Sequence, residues 1–181
     1  MLPYLIGFFI ASFILIVIFS ITDNIDKKNK ISEYAAQGYN FEDKLELGYC
    51  TLAIDPAMKK LLIMKPHSRT SIYEEREYLL GFEEIIGFEI NKNGETITKA
   101  SLGAPIMGGI LLGAGGVVLG SILGNRKSKA TSKVDIIIQL NSFKNPIIKL
   151  TAYNLDTVEK LCVWLKLILE ENENIKNLQE V

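Results

Sequence analysis

Hydrophobic residues are distributed unevenly along the chain. Leu2–Ile21 contains no charged side chain, and a second uncharged stretch runs from Ala100 to Asn125. Elsewhere, short segments rich in Val, Ile, Leu and Phe alternate with turn-forming residues, a pattern that predicts strands. After residue 153, apolar residues recur at helical spacing. The pattern therefore predicts an α+β protein with two segments of unusual hydrophobicity.

The first apolar stretch has the length of a membrane span. About 20 residues at 1.5 Å each cover the roughly 30 Å hydrocarbon core. A cleaved signal peptide is the alternative, but it needs a basic residue before the apolar core and an Ala-x-Ala type site after it. This sequence has neither feature there. We therefore predict an uncleaved transmembrane anchor at residues 1–22.

Basic residues predict the orientation of this anchor. Lys27, Lys28 and Lys30 follow the span, and only the amino terminus is basic before it. The positive-inside rule then places the main domain in the cytoplasm, with these lysines at the membrane surface. Residues 23–41 are predicted to continue as a cytoplasmic helical stalk, which Gly38 would end in a left-handed conformation.

The globular body is predicted to be a set of strands in hairpin succession. Turn signals lie at Asp55-Pro56, at Asn93-Gly94 and at residues 141–146. The predicted strands are Leu45–Ile54, Lys59–Lys65, Glu84–Asn91, Glu95–Ser101, Val134–Leu140 and Ile147–Thr151. The charged run Glu74–Glu77 is predicted to be a solvated loop.

One amphipathic helix is predicted to close this body. Asn154 suits the N-cap position. The apolar stripe comprises Leu155, Val158, Leu161, Cys162, Leu165, Ile168 and Leu169, with Trp164 at its border. Such a stripe must be buried, and the open end of a small antiparallel barrel or sandwich would bury it. Residues 173–181 are predicted to form a polar tail.

Residues 82–90 resemble a strand of bacterial pleckstrin-homology-like (PH-like) domains, in which the pattern is F-x-x-I-x-x-x-E-I. In that family a glycine-rich hydrophobic insert often interrupts the domain between two strands, and residues 101–125 resemble it. The resemblance covers about residues 42–172 and implies the PH-like architecture with that insert. It implies little about activity, because that family is functionally heterogeneous. The basic loop that binds phosphoinositides in eukaryotic relatives has no clear counterpart here, so a lipid-headgroup role is not carried over onto named residues.

The insert carries a regular glycine pattern. The candidate helix-packing residues are Gly109, Gly113, Gly116, Gly120 and Gly124. On a helix, glycines at this spacing form a smooth face that lets a second helix approach closely.

The length of the insert limits its path. A single span would put the flanking strands on opposite sides of the membrane, and two full spans need about 40 residues. We therefore predict a re-entrant helical hairpin, with Pro105 in its first turn and Arg126, Lys127 and Lys129 back at the cytoplasmic surface. Three roles stay open for it: docking or membrane apposition, self-association, and a conducting assembly.

The sequence offers little chemistry for catalysis. His67 is the only histidine and lies in a polar loop, so it is interpreted as a solvated residue rather than a catalyst. Cys50 and Cys162 are interpreted as buried free thiols, with a disulfide or a metal site as the alternatives. We predict no catalytic residues, no metal site and no cofactor. A net charge of −1 argues against nucleic-acid binding.

These observations predict a non-enzymatic, membrane-anchored interaction module on the cytoplasmic face. Its partners would be membrane lipid, an unknown protein or peptide, and a second copy of the chain through the glycine-rich hairpin. The alternative is a glycine-zipper-driven membrane assembly that acts in immunity, superinfection exclusion or envelope stress. An enzyme is the least favoured class.

Overall fold

A computed structural model describes residues 2–65, 76–92, 94–102, 104–108 and 133–179. The helices are α1 (Leu2–Ala36) and α2 (Leu155–Gln179). The strands are β1 (Asp43–Leu47), β2 (Cys50–Asp55), β3 (Lys60–Met64), β4 (Glu77–Gly81), β5 (Ile85–Lys92), β6 (Glu95–Ser101), β7 (Ala104–Gly108), β8 (Val134–Leu140) and β9 (Ile147–Ala152), with a 3-10 turn at Phe82–Glu84.

The strands form two antiparallel sheets. The first sheet has the order β1-β2-β3-β4, and the second has the order β7-β6-β5-β8-β9. The predicted α+β class and the closing C-terminal helix are confirmed. Among the described residues the two sheets are not joined into a closed barrel. Of the two predicted forms, barrel or sandwich, the two sheets correspond to the sandwich.

The main core lies between the two sheets and is covered by α2. Phe88, Ile90, Ile136 and Ile138 contribute from the second sheet, and all are at most 2% exposed. The two inner strands of the first sheet, β2 and β3, are buried on both faces, which explains the continuous apolar run of β3. Leu61 and Ile63 face the main core, whereas Leu62 and Met64 belong to a second cluster on the outer face.

Helix α2 follows the predicted pattern. The Asn154 side-chain oxygen accepts a hydrogen bond from the Asp156 amide at 2.9 Å, which confirms the N-cap. The stripe from Val158 to Leu169 is buried as predicted. The helix continues through residues 173–179 of the predicted polar tail. The side-chain amide of Asn172 donates hydrogen bonds to the carbonyl oxygens of Phe82 (2.7 Å) and Ile85 (3.1 Å). These bonds fix the helix to the 3-10 turn.

Two predictions in the first sheet were wrong. The segment Leu45–Ile54 is two strands rather than one, because Gly48 and Tyr49 form a tight turn in which Leu47 pairs with Cys50. Gly48 has φ +63°, and glycine at the first position suits a two-residue hairpin loop. The charged run ending at Glu77 is not wholly a loop, because Glu77 begins β4 and pairs with Met64.

The start of the glycine-rich insert also differs from the prediction. Ala104–Gly108 is strand β7, which pairs with β6 at the edge of the second sheet, so Pro105 is not in a helical turn. Proline is tolerated in edge strands, because one side of such a strand makes no ladder hydrogen bonds. Any helical hairpin is thereby restricted to residues after Gly108. The Asn-Gly turn before β6 is found at Gly94.

Candidate functional site: the docked N-terminal helix

Helix α1 ends on the outer face of the first sheet. Gly38, with φ +97°, donates to the Ala35 carbonyl, and the Tyr39 amide donates to the Tyr34 carbonyl. These two bonds form a Schellman motif, which confirms the predicted role of Gly38. The backbone amide of Asn40 then donates a hydrogen bond to the buried Asp55 carboxylate at 2.6 Å. The same carboxylate accepts a hydrogen bond from the backbone amide of Met58. Asp55 therefore ties the end of α1 to the β2–β3 turn.

An aromatic cluster fixes α1 against the sheet. Tyr34 packs edge-on to Tyr39 and Phe41, with ring centroids 5.6 and 5.9 Å apart. Together with Ile31, these rings cover Ala53, Leu62 and Met64. Residues 31–41 therefore pack on the first sheet as part of the folded domain.

Polar contacts add specificity to this packing. The Tyr34 hydroxyl donates a hydrogen bond to the Glu77 carboxylate. Burial, and then this bond, raise the pKa of Tyr34 well above its ordinary value, so the phenol keeps its proton. The Lys30 ammonium lies 3.1 Å from Glu33 and 3.5 Å from Glu77. A hydrogen bond to Glu33 and the charge of Glu77 raise the pKa of Lys30.

The predicted membrane-surface lysines differ in their surroundings. Lys27 donates to the Tyr49 carbonyl at 3.4 Å and lies 3.6 Å from the Glu46 carboxylate, with its side chain only 18% exposed. Lys27 and Lys30 therefore hold α1 to the β1–β2 hairpin and to β4. Lys28 is exposed. The predicted surface residues Arg126, Lys127 and Lys129 lie outside the described residues.

Between Lys27 and Phe13, α1 differs from its docked part in the exposure of its side chains. Every described side chain from Phe13 to Asp26 is exposed. The apolar ones include Phe13 (67%), Ile14 (50%), Leu15 (56%) and Ile18 (53%). Within the described parts of the chain, none of the helices is both long enough and apolar enough to cross a membrane.

Several turns and strand ends lie together at one end of the sandwich, which we name the Tyr49 end. It comprises the Gly48-Tyr49 turn, the end of β7 at Gly108, the start of β8 at Val134 and Tyr153 after β9. The Thr151 carbonyl and the Tyr153 ring lie next to Gly48, and the Tyr49 and Tyr153 rings are 6.5 Å apart. Because Lys27 contacts Tyr49, α1 leaves the domain at this same end.

The strand register shows that the residues flanking 109–132 on both sides lie at the Tyr49 end. Gly108 pairs with Thr98, Thr98 pairs with Ile90, and Ile90 pairs with Ile136. Gly108 is therefore level with Ile136, two residues or about 7 Å along β8 from Val134, across three strand spacings of about 4.8 Å, or about 14 Å. The opposite end carries the β2–β3 turn with Met58, and we name it the Met58 end.

The predicted helix-packing glycines Gly109, Gly113, Gly116, Gly120 and Gly124 lie outside the described residues, as does His67. Among the described residues, no group of three His, Cys, Asp or Glu side chains could hold a metal ion. Cys50 and Cys162 are buried free thiols, as predicted. Burial raises the pKa of Cys50, and it raises the pKa of Cys162 to about 12.

Sequence reasoning missed the residues that dock α1. Tyr34 and Glu77 are 43 positions apart, and their pairing depends on the register of β4. The local signal was the cluster of aromatic residues just after a helix-ending glycine, at Tyr39 and Phe41.

A comparison with protein families matches residues 27–154 to the family described as glycine zipper containing PH domain. The chain belongs to this family. The match to the glycine-zipper PH domain begins at Lys27, where α1 meets the β1–β2 turn, and ends at the N-cap of α2. It includes the docking part of α1 and the glycine-rich stretch, whereas the apolar run at residues 2–21 lies outside it. Comparisons with curated proteins and with solved structures find no match.

Proposed function

We propose that this PH-domain protein is a non-enzymatic interaction module, anchored in a membrane by the N-terminal part of α1, with its main domain on the cytoplasmic face. The observation that carries the proposal is the division of α1 at Lys27. On one side the helix is built into the domain, and on the other the apolar side chains that the structure describes are exposed. Large apolar side chains left exposed along one segment call for a partner that covers them.

A bilayer is the partner that fits this segment best. The run from Leu2 to Ile21 contains no charge and has about the length of a membrane span. Ile21 precedes Lys27 by six residues, or about 9 Å of helix. The rigid docking of residues 27–41 would then hold the PH domain at a fixed distance and orientation relative to the lipid.

Flotation of the full chain with phospholipid vesicles tests the anchor. The double variant Phe13→Asp/Val17→Asp puts two charges into the middle of the run, each at a cost of about 3 kcal/mol in a bilayer. It is expected to stay at the bottom of the gradient, whereas the wild type floats and resists alkaline extraction. Ile25→Asp is the matched control, because it changes an exposed apolar residue of the same helix beyond the run and should float. Flotation of the double variant would refute the anchor.

A second candidate function is a membrane assembly formed through the glycine zipper. It is favoured by the family match, whose description includes the zipper, and by the four-residue spacing of Gly116, Gly120 and Gly124. Because Gly108 and Val134 lie at the same end of one sheet, a re-entrant hairpin of residues 109–132 would leave the domain and return to it on one side of the membrane.

Crosslinking in the membrane tests this candidate. Gly116→Leu/Gly120→Leu removes the smooth face and should abolish crosslinked oligomers, whereas Leu111→Ala in the same stretch should retain them. Unchanged crosslinking of the glycine variant would exclude the zipper assembly. That the chain is not an enzyme stays a prediction.

A further inference from the structure

We infer that the Tyr49 end of the sandwich lies directly against the lipid headgroups, with the Tyr49–Tyr153 pair as its contact. This inference rests on the proposed membrane anchor and adds the surface and the orientation. The first observation is the path of the chain. Helix α1 leaves the domain at this end, and both edges of residues 109–132 lie at the same end.

The second observation is the distance to the bilayer. The interfacial headgroup layer is about 5–7 Å thick on each side of the hydrocarbon core. Lys27 lies about 9 Å along the helix from the last residue of the apolar run, and its ammonium contacts the Tyr49 carbonyl at 3.4 Å. The β1–β2 turn is thereby held at the outer border of the headgroup layer, within reach of a tyrosine side chain.

The third observation is the chemistry of the surface. Tyr49 and Tyr153 are 45% and 41% exposed, and their rings pack edge to face. Tyrosine favours the membrane interface, because its ring is apolar and its hydroxyl stays hydrated. The occupant that fits this surface is therefore a lipid headgroup layer.

Fluorescence quenching by brominated lipids tests the inference on the full chain in vesicles. Trp164→Phe removes the only tryptophan. Tyr49→Trp or Tyr153→Trp then reports on the Tyr49 end, and Met58→Trp, at a site 51% exposed, is the matched control at the Met58 end. Lipids brominated near the headgroup should quench the tryptophan at position 49 or 153 at least about twofold more than the one at position 58. Lipids brominated at the chain terminus should quench both only weakly.

The outcomes separate this inference from the anchor. If the protein floats with the vesicles but the tryptophan at position 49 or 153 is quenched no more than the one at position 58, the anchor stands and the inference fails. Stronger quenching at position 58 would reverse the orientation and also overturn it. If the protein does not float at all, both the anchor and the inference fail. The two reporters at the Tyr49 end guard against misfolding of one variant, and unchanged circular dichroism confirms that each has folded.

Discussion

The two long helices differ in whether the domain buries their apolar residues. In α2 the stripe from Val158 to Leu169 is buried in the main core of the same chain. In α1 only the C-terminal part packs on the domain, through Ile31 and Tyr34, and the described apolar side chains between Phe13 and Ile18 are exposed. Apolar residues on a long helix therefore have two distinct uses in this molecule. In α2 hydrophobicity stabilises the fold, and in α1 it is available to determine where the fold is held.

The largest expected effect comes from Leu165→Ala in α2. This side chain is fully buried, so its truncation should lower the free energy of unfolding by about 3 kcal/mol. Leu167→Ala, 57% exposed on the same helix, and Phe13→Ala in α1 should each change it by less than about 0.5 kcal/mol. Urea unfolding of the full chain in detergent, followed by circular dichroism, measures all three. Equal effects of Leu165→Ala and Phe13→Ala would contradict the statement that only α2 uses its apolar side chains to stabilise the fold.

Asn172→Ala sharpens the comparison at the far end of α2. It removes two hydrogen bonds to the carbonyl oxygens of Phe82 and Ile85 and should cost about 1–2 kcal/mol. Asn174→Ala, at an exposed asparagine two positions further along the helix, is the control and should be near neutral. The same unfolding assay reports both. A neutral Asn172→Ala would mean that this part of α2 does not support the 3-10 turn.

Tyr34→Phe probes the docked part of α1. Loss of the hydrogen bond to Glu77 should weaken the docking by about 1 kcal/mol. Amide hydrogen exchange should then become about fivefold faster in residues 27–36 and stay unchanged in α2. Tyr39→Phe, which leaves the bond to Glu77 intact, serves as the control. Unchanged exchange in Tyr34→Phe would show that the aromatic packing alone holds the helix.

The buried thiol of Cys162 gives the smallest predicted effect. Burial raises its pKa to about 12 in the folded chain, so the unfolded chain ionises first as the pH rises. The contribution is constant below the ordinary thiol pKa and is lost progressively from there up to about pH 12. At pH 9.5 the wild type should lose somewhat less than about 1 kcal/mol relative to pH 7, beyond any loss seen in Cys162→Ala. Parallel pH dependences of the two proteins would contradict this.

Local patterns were enough to predict much of the fold. The stripe and N-cap of α2, the Gly94 turn and strands β5, β6, β8 and β9 all follow from periodicity and turn residues. The split at Gly48 was missed because the residues on both sides of the turn are strand formers. Strand β4 was missed because its first residue, Glu77, continues a charged run.

The docking of α1 could not be derived from local patterns. The composition of residues 23–41 predicted a cytoplasmic helical stalk and gave no sign of its contacts. Lys27, Lys30 and Tyr34 find their partners on strands β1 and β4, at Glu46 and Glu77. The hint in the sequence was the continuous Leu-Leu-Ile-Met run of β3, because such a run needs a cover on each face of the strand. The predicted domain boundaries at 22, 41 and 172 stay predictions.

Cysteine labelling along α1 in sealed vesicles tests the central claim most directly. Phe13→Cys, Ile18→Cys and Glu33→Cys introduce thiols at sites that are all exposed in the folded chain, while the native cysteines are buried. With a membrane-impermeant maleimide added to both sides of the vesicles, Glu33→Cys should react readily, and Phe13→Cys and Ile18→Cys should be protected at least about tenfold. Urea-treated protein in detergent should label at all three positions. Equal labelling of the three variants in sealed vesicles would contradict the membrane anchor.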